Sequence, residues 1–234
     1  MSRPQERLST GIDAIDRHMS GGIEPGSLIA LMAGPTMQSE AILHELIEMR
    51  QTLYLTTLRG ATAVEEDLER LSTDDVFVEY AGADQTMDNE LLGQITGSRS
   101  YTPSFTNDGT LLDTVYDLVT DLDQRANVIL DPVNPLEETD NKNAYREVLN
   151  KLKTTMLDTG GIGILHCITL EDSPPFRDVT LALADIVWEL NLVSLTNTME
   201  YQLLIPKNRG GTPVLDDISI VLENDVWVDE SRNI

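Results

Sequence analysis

The chain has 234 residues, of which 41% are apolar and 24% are charged, so it can fold around a hydrophobic core. Its 40 acidic and 16 basic residues give a formal net charge of −24, which argues against a basic nucleic-acid-binding surface. The single cysteine excludes a disulfide framework, and the apolar runs are too short for a membrane helix or a signal peptide. We therefore expect a soluble, cytoplasmic protein.

Strand and helix patterns alternate along most of the chain. In chain order, they predict a strand at 28–33, a helix at 40–50, a strand at 53–58, a helix starting at Thr62 with a capping box to Glu65, and a strand at 76–80. They then predict a loop at 81–109, a helix at 110–124, a strand at 128–130 ending at Asp131, a helix at about 142–158, a strand at 163–168 and hairpins from Met199 onward.

This alternation predicts an α/β fold with a mainly parallel central sheet flanked by helices and with antiparallel hairpins at the C-terminus. No internal repeat, low-complexity segment or linker interrupts the pattern. We therefore expect residues 1–234 to form one domain.

Three short motifs follow one another in a specific order. The first runs from Thr10-Gly11-Ile12-Asp13 through Gly21-Gly22 to the strand that leads into Gly34; the second is Asp131 after an apolar strand; the third is Lys207-Asn208-Arg209-Gly210. Over about residues 8–228, this set resembles the RecA-superfamily ATPase domain, most of all its KaiC and RadB branches. The resemblance implies a RecA-like P-loop fold of archaeal origin, with Asp131 at the Walker B position.

The phosphate loop is the motif in which this chain departs from that family. The motif GxxxxGK(S/T) supplies a flexible glycine, a lysine for the phosphates and a hydroxyl for magnesium. Counting from Gly34, these three positions hold Ser39, Glu40 and Ala41. A charge pair about 4 Å apart is worth about 4 kcal/mol at an effective dielectric of 20, and glutamate in place of lysine reverses its sign. We predict that Gly34, Ser39, Glu40, Ala41 and Asp131 form a degenerate nucleotide site with no bound cofactor or metal and no catalytic residue.

Glu40 has a structural interpretation that requires no nucleotide. An acid in the first turn of a helix is favourable by about 0.3 to 1 kcal/mol, because it meets the partial positive charge of the helix end. We expect Glu40 to occupy the helix end where a phosphate would otherwise bind, with Ser39 or Gln38 helping to cap it.

A second loss concerns the carboxylate that activates the attacking water in KaiC-like ATPases. The resemblance implies acidic residues at the tip of the strand at 53–58, but this strand ends in Leu58-Arg59. Glu65 and Glu66 follow within a helix, where we expect them to be solvated.

For Asp131, His166 and the pair Lys207 and Arg209, the sequence allows two interpretations each. Asp131 either retains its family role or pairs locally, and His166 is either a sensor residue or a hydrogen-bonded core histidine. Cys167 is expected to pack as a small hydrophobe. Lys207 and Arg209 are interface candidates that either reach an acid such as Glu40 or Asp131 across a subunit boundary or lie in a solvated turn.

The acidic residues are spread over the chain in short clusters such as Glu65-Glu66-Asp67 and Glu137-Glu138. At about 1 M salt the Debye length falls to about 3 Å, so a surface of this charge is stabilised by salt. We interpret the composition as halophilic, which within the resemblance indicates a haloarchaeal source; an acidic mesophilic protein is the alternative.

These observations predict a RecA/KaiC-like protein that has lost conventional ATP binding and hydrolysis. Its expected role is that of a regulatory or scaffold subunit whose partner is a second copy or an active RecA/KaiC-like paralogue. A nucleotide-binding KaiC-like ATPase with an altered site, which would use ATP and magnesium, is one alternative. A RadB-like recombination accessory is another, although the acidic segment at 171–177 and the lack of a basic stripe disfavour direct nucleic-acid binding.

Overall fold

The computed structural model describes residues 7–68, 76–81, 110–122, 125–194, 199–222 and 226–228. Within these residues, nine strands form one sheet: β1 (Leu28–Ala33), β2 (Thr52–Thr56), β3 (Val76–Tyr80), β4 (Asn127–Asp131), β5 (Gly163–Ile168), β6 (Ile186–Ser194), β7 (Met199–Asn208), β8 (Val214–Leu222) and β9 (Val226–Val228). Their order across the sheet is β3-β2-β4-β5-β1-β6-β7-β8-β9.

Strands β1 to β6 pair parallel with one another, and β6, β7, β8 and β9 pair antiparallel in succession. The predicted fold class, a mainly parallel sheet with C-terminal antiparallel hairpins, is therefore confirmed. The sequence analysis did not predict β6, which joins the two parts by pairing with β1 on one side and with β7 on the other.

The helices cover both faces of the sheet. They are α1 (Asp13–His18), α2 (Glu40–Glu48), α3 (Ala61–Leu68), α4 (Leu111–Thr120), α5 (Asn134–Glu137), α6 (Lys142–Thr159) and α7 (Arg177–Leu183). Apolar side chains of α1, α2 and α3 share one buried cluster with Ile29, Ile129 and Ile164 of the sheet. Side chains of α4, α5 and α6 form a second cluster on the opposite face. In the described ranges, no helix is long and apolar enough to cross a membrane.

Two local details differ from the predictions. Helix α3 begins at Ala61, and the Gly60 carbonyl accepts from the Ala63 and Val64 amides. Thr62 therefore lies inside the helix, and the predicted capping box that starts there is wrong. A capping box forms instead at α4, where the Thr110 hydroxyl accepts from the Asp113 amide and the Asp113 carboxylate accepts from the Thr110 amide. The predicted loop at 81–109 lies, from residue 82 on, outside the described residues.

Candidate functional site

The loop from Gly34 to Ser39 connects the central strand β1 to helix α2. It turns tightly, with the Met37 amide donating to the Gly34 carbonyl over 3.0 Å. Glu40 is the first residue of α2 and is exposed, and Ala41 is half-buried against the core. The acid therefore lies in the first helical turn, as expected from the helix dipole.

The Ser39 side chain points into the protein and does not cap the helix. Its hydroxyl makes no bond to a backbone amide of α2, so the expectation that Ser39 caps this end is wrong. The Ser39 Oγ lies 2.9 Å from Nε2 of His166, and both side chains are buried, with exposed fractions of 2% and 3%. The Ser39 hydroxyl thus bonds to the imidazole and not to the helix amides, because the buried imidazole nitrogen also needs a hydrogen-bond partner.

Asp131, at the end of β4, lies beside the same histidine. Nδ1 of His166 is 2.5 Å from Asp131 Oδ1, and the Tyr54 hydroxyl of β2 donates to Asp131 Oδ2. We call Tyr54, Asp131, His166 and Ser39 the polar chain. It crosses β2, β4 and β5 at the carboxyl ends of the parallel strands and ends at the loop before α2.

The pKa of Asp131 is lowered despite its burial. Burial alone would raise that pKa, but the hydrogen bond and charge of His166, with the bond from Tyr54, outweigh it. The pKa of Tyr54 lies well above its ordinary value because of burial and the adjacent Asp131 carboxylate. Asp131 is therefore held as a carboxylate and Tyr54 as a neutral donor.

The polar chain contains serine, histidine and aspartate in the hydrogen-bonded order of an acyl-transfer triad. The serine of such a triad must meet its substrate. With 2% of Ser39 and 3% of His166 exposed, no substrate atom reaches the hydroxyl in this conformation. The arrangement therefore ties the loop to the sheet and does not present a nucleophile.

The same contacts determine how well these residues fit a magnesium nucleotide. Each carboxylate oxygen of Asp131 already has a partner, and Asp131 has an exposed fraction of 6%. Ala41 offers no oxygen to a metal, and Glu40 places a negative charge in the first turn of α2. Within the described residues, no group of three or more His, Cys, Asp or Glu side chains could hold a metal ion. These residues do not fit a magnesium-bound phosphate.

Lys207 and Arg209 lie at the amino ends of the parallel strands, opposite the polar chain. Lys207 pairs in register with Val187 near the start of β6, and its Nζ donates to the Leu181 carbonyl over 2.6 Å. Arg209 forms an ion pair of 3.1 Å with Asp185. Both bases thus contact the C-terminal end of α7 and the turn after it, where positive charge is favourable, and within one chain they do not meet Glu40 or Asp131.

The tip of β2 holds no carboxylate, as the sequence indicated. Arg59 follows this strand and pairs with Asp67 of α3, while Glu65 and Glu66 are exposed on the same helix. Cys167 is fully buried, and burial raises the pKa of its thiol to about 12, which makes it unreactive at neutral pH. It packs as the predicted small hydrophobe.

Residues 7–234 match a family of unknown function, DUF7125. The chain belongs to the DUF7125 family. No curated protein matches the DUF7125 chain. Among solved structures, it is similar to a KaiC-like protein from the hyperthermophilic archaeon Pyrococcus horikoshii OT3, with 18% identity, a TM-score of 0.69, and coverage of 97% of this chain and 100% of that one. The predicted KaiC/RecA-like fold is therefore confirmed for this DUF7125 chain.

The sequence analysis missed Tyr54, which completes the polar chain. One signal was available: a tyrosine inside a buried strand needs a partner for its hydroxyl. Tyr54 belongs to β2, and β2 neighbours β4, which ends in Asp131. The order of these strands, which the sequence does not specify, supplies that partner.

Proposed function

We propose that this protein is a RecA/KaiC-like domain that has lost conventional ATP binding and hydrolysis and acts as a regulatory or scaffold subunit through protein–protein contacts. The observation that carries the proposal is the internal pairing of Asp131. A Walker B carboxylate must be available to the magnesium shell, whereas both oxygens of Asp131 are bonded to Tyr54 and His166. The degenerate phosphate loop supports the same conclusion, because Glu40 and Ala41 replace the lysine and the hydroxyl residue.

Calorimetric titration of Mg-ATP and Mg-ADP into the chain in molar KCl tests this proposal. We expect no saturable heat at millimolar nucleotide, because Glu40 repels the phosphates and Asp131 is occupied. A Ser39→Gly/Glu40→Lys/Ala41→Thr variant restores the motif and is expected to give a saturable heat, with an affinity at least about tenfold above the millimolar limit set by its parent, since one favourable charged contact is worth about 1.5–3 kcal/mol.

The matched control for this titration is Glu48→Lys, which makes the same charge change at the exposed far end of α2. It is expected to remain a non-binder. Micromolar binding by the unaltered chain would contradict the proposal and favour a nucleotide-dependent protein with an altered site. Molar KCl keeps a strongly acidic chain folded during the comparison.

The scaffold role predicts self-association through the hairpin that carries Lys207 and Arg209. The Arg209 side chain is 58% exposed although it pairs with Asp185, so it is accessible to an acidic group on a second copy. We expect the chain to sediment as an oligomer and Arg209→Gln to weaken the association at least about fivefold, as loss of a charged interfacial contact worth about 1 kcal/mol would. Sedimentation velocity over a concentration series measures this.

Arg146→Gln is the control for that experiment, because Arg146 is an exposed arginine of α6. If the unaltered chain is monomeric at every concentration, self-association is contradicted, and an active paralogue would be the partner to test. If Arg209→Gln and Arg146→Gln associate equally, the hairpin is not the interface.

A further inference from the structure

A cavity of about 280 Å³ lies far from the polar chain and is lined by Arg7, Leu8, Ser9, Arg50 and Arg125. Arg50 precedes β2 and Arg125 precedes β4, so the cavity opens at the amino ends of these neighbouring parallel strands. The loop before α2 and Asp131 lie at the carboxyl ends. The cavity is therefore a separate site, and its argument does not depend on the function proposed above.

Backbone and amide oxygens hold two of its arginines in place. Arg50 Nη2 donates to the Ser9 carbonyl over 2.6 Å, and Arg125 Nε donates to the Gly160 carbonyl over 3.1 Å. Arg50 Nη1 also lies 3.4 Å from Asn127 Oδ1. Within the part of the chain that the structure describes, the two Nη groups of Arg125 make no hydrogen bond, so a pre-positioned guanidinium has donors available.

Arg7 supplies the third positive charge. Its Nη1 donates to the Met19 and Gly22 carbonyls over 3.0 and 2.9 Å, which fixes the guanidinium beside the cavity. Its Nη2 pairs with Glu24 at 3.0 Å. Arg7 is thus mainly structural, whereas Arg50 and Arg125 form no ion pair within the described residues.

The charges of Arg50 and Arg125 oppose each other. The pKa of Arg50 is lowered by burial and by Arg125, and the Asp16 carboxylate offsets this only in part. Asp16 itself accepts hydrogen bonds from the Ser9 hydroxyl and the Thr10 amide. In a chain with a net charge of −24, two arginines that oppose each other and form no ion pair within the described residues are a local excess of positive charge, which a bound anion would relieve.

We propose that this cavity binds a small multivalent oxyanion, with Arg125 and Arg50 as the direct donors and Arg7 as a nearby positive charge. Guanidinium groups bind phosphate and carboxylate oxygens through paired, charge-assisted hydrogen bonds. At about 280 Å³ the cavity is at the lower end of small-molecule sites, which fits a pyrophosphate or a tricarboxylate better than a whole nucleotide. The shared chemistry of the ligand is two or more anionic oxygen groups within one small molecule.

Two parallel calorimetric titrations test the proposal, one with sodium pyrophosphate and one with citrate. They are performed at fixed ionic strength, at the lowest KCl concentration at which the chain unfolds cooperatively. We expect one saturable site for at least one anion and a loss of about tenfold or more in affinity for Arg125→Gln, because charged hydrogen bonds of the Nη groups are removed. Binding of pyrophosphate alone identifies a phosphate ligand, and binding of both identifies a general oxyanion site.

Arg146→Gln is the matched control, and it is expected to bind the anion as the unaltered chain does. Arg125 is exposed, so its substitution leaves the core intact, and equal unfolding midpoints of the two variants without anion verify this. The absence of saturable binding in the unaltered chain would overturn the proposal. Equal affinity in Arg125→Gln and Arg146→Gln would also overturn it, because binding would then occur elsewhere.

Discussion

Replacing Arg177 by methionine is expected to lower the free energy of unfolding by about 3–5 kcal/mol, because it leaves the Glu137 carboxylate charged and buried without its cation. Glu137 ends α5 with no exposed surface, and Arg177 begins α7. Arg177 Nε lies 2.9 Å from both carboxylate oxygens. The Thr180 hydroxyl also donates to Glu137 and contacts the Tyr145 hydroxyl at 2.5 Å, so this ion pair belongs to a buried network.

Urea denaturation in molar KCl measures the effect of Arg177→Met. Arg59→Met is the control, because Arg59 pairs with Asp67 at the surface and its loss is expected to cost at most about 1 kcal/mol. A Glu137→Leu/Arg177→Met double variant is expected to recover much of the stability, since no unpaired charge remains. If Arg177→Met costs no more than Arg59→Met, the ion pair is not an anchor of this fold.

The central strands could be predicted because their apolar runs are short, continuous and separated by helical periodicity. Strand β6 was missed because the burial of its residues changes along its length. Its first half, beginning at Ile186, is buried beside β1, whereas Asn191 and Leu192 are exposed where it pairs only with β7. Neither a fully buried strand pattern nor a strict alternation fits such a segment.

The polar chain could not be predicted because it depends on the order of strands. Ser39 and His166 are 127 residues apart, and Asp131 and His166 are 35 apart. They meet because β5 lies between β4 and β1 in the sheet. Likewise, Glu137 was grouped with Glu138 as surface charge, although it is fully buried, because composition does not indicate which acid of a cluster has a distant arginine as its partner.

The second large loss of stability is expected when a partner of Asp131 is removed. His166→Ala removes the base beside a buried carboxylate and is expected to lower the free energy of unfolding by about 3 kcal/mol or more at pH 7. Tyr54→Phe removes the donor to the other oxygen and is expected to cost about 1–3 kcal/mol. Urea denaturation compares both variants with the unaltered chain.

The stability of Asp131→Asn, measured against pH, isolates the contribution that the Asp131 carboxylate makes to the free energy of unfolding. The pKa of Asp131 is lower in the folded chain than its ordinary value, so the carboxylate contributes stability above the unfolded pKa of about 4. That contribution is lost as the pH falls through the folded pKa. We expect the stability difference between the unaltered chain and Asp131→Asn to be largest near pH 7 and to shrink below about pH 4. Asp140→Asn, an exposed substitution, is the control for general charge effects.

The sign of the Asp131→Asn effect also discriminates between the two interpretations of the site. A carboxylate retained for a metal costs stability while no metal is bound, so its replacement commonly stabilises the protein. A carboxylate that belongs to a closed hydrogen-bonded network stabilises the fold, so its replacement destabilises it. Because both oxygens of Asp131 are bonded within the chain, we expect destabilisation. A variant that is more stable than the unaltered chain at pH 7 would indicate that Asp131 is still kept for a nucleotide-bound metal.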